Sequence, residues 1–128
     1  MKTFLLSRIA SFGHAFRGWA YVMQTQHNAR IHAVATAIVF VLGVWLRVSA
    51  RDWAVLILTI ATVFAAEFVN TAIEAVVDLA SPQKHPLGKV GKDVGAAAVL
   101  IAALAAVLIG LLILGPPLLE KLSSLFGK

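Results

Sequence analysis

The sequence contains no cysteine and few charged residues, and both shortages narrow the class of protein. Without cysteine, the chain can form neither a disulfide framework nor a thiolate site. Only 13% of the 128 residues are charged and 60% are hydrophobic, whereas soluble domains carry about 25% charged residues. A chain of this length cannot bury so much apolar surface in one core. We therefore expect residues 1–128 to form a single membrane-embedded domain.

Acidic residues are also scarce, since six Asp and Glu stand against 11 Lys and Arg, for a net charge of +5. The basic residues stand at the ends of apolar runs and do not cluster in a separate polar module. This placement favours anchoring at a membrane surface over binding of nucleic acid. The N-terminal segment and the segment after the second apolar run hold most of these residues, so the positive-inside rule places both in the cytoplasm.

The periodicity of the apolar residues predicts an all-α integral membrane protein. Over residues 3–25, apolar side chains recur at steps of three or four, which is typical of an amphipathic helix lying on a membrane surface. Three longer apolar runs follow, each close to the roughly 20 residues that cross the hydrocarbon core. The predicted spans are residues 31–49, 53–79 and 94–115, all approximate.

Polar and helix-breaking residues predict the connections between these segments. Arg47, Arg51 and Asp52 indicate a tight turn between the first two spans. Ser81-Pro82 begins a predicted polar loop over residues 81–92, and Gly115-Pro116-Pro117 predicts the end of the last helix.

Four polar residues form a stripe inside the second predicted span. Glu67, Asn70, Glu74 and Asp78 are spaced by three, four and four residues, so a helix places them on one face. A charged group at the bilayer centre costs about 2.5–3.5 kcal/mol even on insertion-based scales. The stripe therefore needs a cation, a bound metal or a watery cleft. One interpretation is that the carboxylates only pair with basic residues to hold helices together, but intramembrane ionisable residues are functional by default.

Basic residues follow the stripe and supply the opposite charge, namely Lys84, His85, Lys89 and Lys92. Lysine binds phosphate as a point charge, and carboxylates hold Mg²⁺ together with substrate phosphates. The combination indicates an ATP–Mg²⁺ site, whereas the alternative is that these lysines only anchor the chain at the cytoplasmic surface. Residues 88–93 are not a Walker A motif, because the spacing is wrong and no Ser or Thr follows the lysine.

The stripe also resembles the signature of a known family. Glu67-x-x-Asn70-Thr71-Ala72-Ile73-Glu74-x-x-Val77-Asp78 is similar to the signature of the prokaryotic diacylglycerol kinase family, which includes undecaprenol kinase. The match continues through His85-Pro86-Leu87, residues 92–100 and Asn28-x-Arg30-Ile31-His32, and so covers nearly the whole chain. The resemblance implies a multi-pass lipid kinase of the bacterial inner membrane that uses ATP and Mg²⁺. It also implies a homotrimer whose active sites lie between the subunits and face the cytoplasm.

The resemblance implies a role for each matching residue. Glu67 would be the general base that deprotonates the lipid hydroxyl, and Asn70 would help to place that hydroxyl. Glu74 would bind Mg²⁺ on the ATP phosphates, Lys92 would contact the phosphates, and Asp93 would help to fix Lys92. The other residues that it implies at the nucleotide are Arg8, His14, Gln83, Lys84 and His85.

One position departs from the family pattern. Many members carry a Glu, which acts as a second metal ligand beside the counterpart of Glu74, where this chain has Gln26. An amide oxygen can bind Mg²⁺ but brings no charge, so we expect weaker metal affinity. A member of the family disabled at this position is one alternative reading.

The acceptor lipid is either undecaprenol or diacylglycerol. Arg30-Ile31-His32, Ser81-Pro82 and His85-Pro86-Leu87 look more like the undecaprenol kinase branch, which we favour. A different class is the small proton-coupled transporter, which also places a Glu in a membrane helix of a short chain. Such transporters usually have four spans and lack this stripe.

Overall fold

The computed structural model describes residues 2–81, 83 and 85–126, with side chains from residue 10 onward. These residues form four helices and no strand, which confirms the predicted all-α class. The helices are α1 (Lys2–Thr25), α2 (His27–Leu46), α3 (Ala50–Ala80) and α4 (Pro86–Phe126).

Helices α2, α3 and α4 are each long and apolar enough to cross a membrane, with 20, 31 and 41 residues. At a rise of 1.5 Å per residue, α2 matches a hydrocarbon core of about 30 Å, whereas α3 and α4 reach roughly 46 and 62 Å. The prediction of three membrane-spanning helices is therefore confirmed. Both longer helices must extend beyond the hydrocarbon.

Helix α1 presents an apolar stripe away from the other helices. Phe12, Phe16 and Trp19 are all exposed, although they stand at helical spacing on one face. Such a stripe is typical of a helix that rests on a membrane surface with its apolar side in the lipid. Helix α1 also contacts α2 and α3, and its buried residue Val22 lies outside the apolar stripe.

The turn between α2 and α3 differs from the predicted one. Helix α2 ends at Leu46 and α3 begins at Ala50, so Arg51 and Asp52 lie inside α3. The reason is a capping box: the Asp52 N–H donates to Ser49 Oγ at 3.2 Å, and the Ser49 N–H donates to Asp52 Oδ2 at 3.2 Å. Reciprocal bonds of this kind satisfy two free donors at a helix start.

Arg47 carries backbone strain in this turn, with φ 55° and ψ 45° in the left-handed region. For a non-glycine residue this region costs on the order of 1 kcal/mol. We expect Arg47→Gly to raise the free energy of unfolding by about 0.5–1 kcal/mol, seen as a thermal midpoint a few degrees higher in detergent. Arg51→Gly, inside the first turn of α3, is the matched control and should lower the midpoint. A lower midpoint for Arg47→Gly would contradict the strain argument.

The predicted polar loop over residues 81–92 is too long. Helix α4 begins at Pro86, so residues 86–92 are helical. Proline favours the first position of a helix because its missing N–H is not needed there and its φ is already helical. The first turn closes where the Lys89 N–H donates to the His85 carbonyl at 3.1 Å.

The predicted end of the last helix at Gly115-Pro116-Pro117 is wrong, because α4 continues through both prolines to Phe126. Proline has no N–H, so the carbonyls four residues earlier, on Leu112 and Ile113, have no donor from these positions. Neighbouring helices allow such a break in a membrane helix. Here Lys121 Nζ lies 5.6 Å from the centre of the Trp45 ring, which ties the segment after the prolines to the end of α2.

The most extensive helix packing joins α3 to α4. Glycines on one face of α4 make it close: a Cβ at Gly88 would lie 3.1 Å from Val77 Cγ1, and one at Gly91 would lie 3.7 Å from Val77 Cγ2. Small residues at such a contact let membrane helices approach each other. Helix α2 meets α3 in the same way, because a Cβ at Gly43 would lie 2.8 Å from the Trp53 ring.

Candidate functional site

The polar stripe on α3 runs from the buried interior to the exposed loop end of the bundle. Glu67 is 2% exposed, Asn70 8% and Thr71 5%, whereas Glu74 is half-buried and Asp78 is exposed. The helical spacing predicted for these residues places them on the face that α4 covers near the α3–α4 connection. The stripe therefore runs from a buried end at Glu67 to a more exposed end at Glu74 and Asp78, which we call the mouth of the stripe.

Two atoms of the stripe are buried without a hydrogen-bond partner among the described residues, namely Glu67 Oε2 and Asn70 Oδ1. The other atoms nearby are satisfied: Asn70 Nδ2 donates to Glu74 Oε1 at 3.1 Å, and Thr71 Oγ1 donates to the Glu67 carbonyl at 2.9 Å. Buried polar atoms in native proteins nearly always have partners, so an unpaired one calls for a ligand or an ordered water. Both oxygens are acceptors, and the Glu67 carboxylate is the one that could take the single proton of a bound hydroxyl.

Helix α2 supplies the wall opposite Glu67. The Ala29 backbone amide and the His32 ring are the groups of α2 that interact with the Glu67 carboxylate, and Glu74 is the other charged group near it. Reasoning from sequence gave His32 no role, although a signal was present. Ala29 and His32 are three residues apart, so a helix places this polar ring and the buried Ala29 on one face.

Helix α4 lies directly over Asn70 at Gly95. A Cβ at Gly95 would overlap Asn70 Oδ1 and would lie 3.3 Å from Asn70 Cγ. In the sequence, Gly95 belongs to the 92–100 segment that matches the family pattern, but it received no role there. Nothing in its neighbours indicates which α3 side chain it faces.

Two ion pairs stand at the mouth of the stripe. Lys92 Nζ donates to Asp78 Oδ1 at 2.5 Å, and Lys89 Nζ donates to Asp93 Oδ2 at 2.5 Å. Asp93 is thus paired with Lys89 and not with Lys92, the lysine that it was expected to fix. Exposed ion pairs contribute only about 0–1 kcal/mol. The Lys92 ammonium can therefore exchange Asp78 for a phosphate at little cost.

Of the other predicted nucleotide residues, the three that the structure describes are hydrogen-bonded within their own segments, and these hydrogen bonds do not reach the stripe. His14 is exposed on α1 and accepts from Arg17 Nη2 at 2.8 Å, whereas His85 Nδ1 accepts from the Leu87 N–H at 3.2 Å. Gln83 is exposed, and its carbonyl accepts from Ser81 Oγ at 2.6 Å. The Arg8 side chain and Lys84 lie outside the described residues.

Gln26 stands at the junction of α1 and α2, half-buried, as the N-cap residue of α2. Its N–H donates to the Val22 carbonyl at 2.8 Å, but its side chain makes no cap hydrogen bond. The side-chain oxygen of Gln26 is therefore not used to cap the helix.

The donor set near the stripe fits Mg²⁺ only in combination with a substrate. The described residues include no group of three or more His, Asp or Glu side chains arranged to hold a metal ion. Mg²⁺ is usually held by one or two carboxylates together with substrate phosphates and waters, and does not need a cage of protein ligands. The half-buried Glu74 carboxylate supplies a hard oxygen of the required kind.

An apolar cavity of about 500 Å³ lies between α2, α3 and α4 and begins beside the buried end of the stripe. Its near end includes His32, Val63 and Phe64, and its far end reaches Leu114 and Leu118. Almost all of the lining side chains are aliphatic or aromatic. The site thus combines a buried carboxylate, an apolar space on one side of it and two exposed lysine–aspartate ion pairs on the other.

Comparison with known proteins gives one consistent result. The sequence profile described as prokaryotic diacylglycerol kinase matches residues 13–114. An undecaprenol kinase of Bacillus subtilis is 41% identical over 108 residues, which cover 84% of this chain and 88% of that protein. A diacylglycerol kinase of Synechocystis sp. is 45% identical over 113 residues, covering 88% of this chain but only 65% of that protein. A diacylglycerol kinase of Escherichia coli is 36% identical over 100 residues, covering 78% of this chain and 82% of that protein.

Proposed function

Because the chain belongs to the prokaryotic diacylglycerol kinase family and is a lipid kinase, we propose that it transfers the γ-phosphoryl group of ATP to the hydroxyl of undecaprenol. The observation that carries this proposal is the Glu67 carboxylate, which is 2% exposed and has one oxygen without a partner among the described residues. It stands between the apolar cavity and the mouth of the stripe. A long lipid alcohol could place its hydroxyl at Glu67 and its hydrocarbon chain in the cavity, with the phosphate donor at the mouth of the stripe.

In the proposed reaction Glu67 accepts the proton of the lipid hydroxyl. The oxygen then forms a bond to the γ-phosphorus of ATP, the bond between that phosphorus and the bridging oxygen breaks, and ADP leaves. A well-placed general base contributes about 10²–10⁴-fold to such a step. Asn70, about one helical turn from Glu67, would help to place the hydroxyl, while its Nδ2 stays on Glu74.

Charge neutralisation is the second requirement of phosphoryl transfer. Lys92 would leave Asp78 and bind the phosphates at the mouth of the stripe. This exchange is possible because an exposed ion pair such as Lys92–Asp78 contributes little free energy. Glu74, with the Gln26 amide oxygen, would hold Mg²⁺, which supplies positive charge to the phosphates when it is bound. Because Gln26 has no charge, the metal affinity of this chain should be lower than that of a two-carboxylate site.

The nucleotide itself would lie on the cytoplasmic side of the inner membrane. The residues proposed to contact it, in addition to Lys92 and Asp93, are Arg8, His14, Gln83, Lys84 and His85. They come from α1 and the α3–α4 connection, the two segments that the basic residues assign to the cytoplasm. Since the hydrogen bonds of the described ones do not reach the stripe, a homotrimer with sites between subunits would bring them together. Exposed small residues on α4, including Ala96, Ala97 and Ala105, would permit close contact between subunits.

Undecaprenol is favoured over diacylglycerol as the acceptor because the Bacillus subtilis relative named for undecaprenol matches over 88% of its length. The apolar cavity beside Glu67 could receive part of the hydrocarbon of either lipid. Diacylglycerol remains the second candidate, because the Synechocystis and Escherichia coli relatives carry that name.

One assay tests the proposal. Purified protein in lipid vesicles would receive ATP labelled at the γ-phosphate, with undecaprenol and diacylglycerol offered in parallel and with an EDTA control. We expect label in undecaprenol, and none after removal of Mg²⁺. Label in diacylglycerol alone would select the second acceptor. If neither lipid were labelled, and the protein instead drove efflux of a cationic dye in exchange for protons, the proposed kinase activity would be wrong and the protein would be a transporter.

A further inference from the structure

Gly95 occupies a position in α4 where a glycine needs an explanation. It lies in the interior of a 41-residue helix, and glycine is a poorer helix former than alanine. Backbone conformation does not require it, since none of the described glycines has a positive φ. Gly95 is also buried, so it faces a neighbouring helix and not lipid. The reason for glycine at this position must therefore be space.

The space at Gly95 is filled by one side chain, the amide of Asn70. A Cβ at Gly95 would overlap Asn70 Oδ1 and would lie 3.3 Å from Asn70 Cγ and 3.7 Å from Asn70 Cα. The 3.7 Å distance to Asn70 Cα is an ordinary van der Waals contact, so the overlap is with the amide group and not with the backbone of α3. The amide would have to rotate. Rotation would break the hydrogen bond from Asn70 Nδ2 to Glu74 Oε1, now 3.1 Å long.

The Asn70 amide has little else to hold it in place. Asn70 is only 8% exposed, and its Oδ1 has no hydrogen-bond partner among the residues that the structure describes. One end of the amide is thus fixed by Glu74 and the other by contact with the bare backbone of Gly95. A side chain at position 95 would remove both constraints at once.

We propose that Gly95 is a positioning residue: its missing side chain sets the orientation of the Asn70 amide and, through that amide, the placement of Glu74 and of the acceptor hydroxyl. The effect on the reaction rests on the proposed kinase function. The contact between Gly95 and Asn70 does not, so it can be tested without any assay of activity.

A double-mutant cycle tests the contact, with wild type, Gly95→Ala, Asn70→Ala and the double variant compared by thermal unfolding in detergent. With Asn70 present, Gly95→Ala should lower the midpoint by several degrees, because the overlap outweighs the better helix propensity of alanine. In the Asn70→Ala background, the same change should leave the midpoint unchanged or raise it, because the overlap is gone. Equal losses in both backgrounds would show that Gly95 acts on the helix in general and would overturn the proposal.

Activity measurements on the same proteins test the positioning role. Gly95→Ala should lower kcat for lipid phosphorylation by roughly the factor seen for Asn70→Ala, on the order of 10–100-fold, and the double variant should be no worse than Asn70→Ala alone. Multiplicative losses in the double variant would contradict the proposal. If the wild type phosphorylates no lipid, the proposed function fails while the unfolding cycle still decides the contact.

Gly91→Ala is the matched control, on the same face of α4 about one turn earlier. Its added Cβ would lie 3.7 Å from Val77 Cγ2, which is an ordinary van der Waals contact. We expect wild-type kcat and an unchanged or higher thermal midpoint for Gly91→Ala. A loss as large as that of Gly95→Ala would mean that any alanine on this face separates α3 from α4, and would overturn the specific role of Gly95.

Discussion

Glu67→Gln should lower lipid phosphorylation by about 10²–10⁴-fold while the nucleotide still binds. Glutamine has nearly the shape of glutamate, so the buried position should tolerate it, but an amide cannot accept the proton of the acceptor hydroxyl. The carboxylate is 2% exposed, so bulk water does not readily reach it as a replacement base. Turnover would be measured with γ-labelled ATP in lipid vesicles, and nucleotide affinity with a fluorescent ATP analogue.

Glu120→Gln is the control for the Glu67 experiment, because Glu120 is an exposed carboxylate at the far end of α4. It removes the same charge outside the site and should leave turnover within about twofold of wild type. Near-normal turnover of Glu67→Gln would remove the general base from the proposed reaction. Loss of nucleotide binding together with turnover would instead show that Glu67 holds the site in shape.

Glu74→Ala should weaken Mg²⁺-dependent nucleotide binding by roughly 30–150-fold, the equivalent of about 2–3 kcal/mol for a lost charged ligand. Glu74 is half-buried at the mouth of the stripe and accepts from Asn70 Nδ2 at 3.1 Å. Its replacement by alanine removes the one carboxylate of the proposed metal site, because the second proposed ligand, Gln26, is an amide. The measurement is the affinity for the ATP analogue across a Mg²⁺ titration.

Gln26→Glu is the counterpart of Glu74→Ala, since it adds a carboxylate where the family often has one. It should shift the Mg²⁺ titration to lower concentration, whereas Glu74→Ala shifts it to higher concentration. Unchanged nucleotide affinity in Glu74→Ala would exclude Glu74 as a ligand. No shift in Gln26→Glu would show that Gln26 lies outside the metal site.

Local chemistry explains why much of the fold could be predicted from the sequence. Three apolar runs in a chain with 13% charge leave the bilayer as the only solvent that suits them. The spacing of Glu67, Asn70, Glu74 and Asp78 needed only the 3.6-residue period of a helix. The side chains of the stripe become more exposed from Glu67 to Asp78, because Glu67 lies between the helices and Asp78 lies near the exposed α3–α4 connection.

The parts that could not be predicted depend on contacts between distant residues. Which α2 residue meets Glu67, and which α4 residue meets Asn70, is set by how the helices pack and not by the periodicity of either helix. Gly95 was therefore given no role, and Asp93 was assigned to Lys92 when its partner is Lys89. The end of α4 was misjudged because the two prolines were read from local helix propensity alone, whereas residues beyond them, such as Leu118, still line the cavity between α2, α3 and α4.

The double proline of α4 also predicts the depth of the proposed site in the membrane. The carbonyls of Leu112 and Ile113 receive no N–H from Pro116 and Pro117, which favours hydrated headgroups near them, so we expect one bilayer boundary to cross α4 near the prolines and not at its end. From Pro116 back to Gly95 the helix rises about 32 Å, close to the thickness of the hydrocarbon core. We therefore expect Gly95 and the Asn70 amide that it contacts to lie near the opposite boundary. An insertion or deletion in this stretch would move the site along the membrane normal, out of register with the headgroups of its lipid.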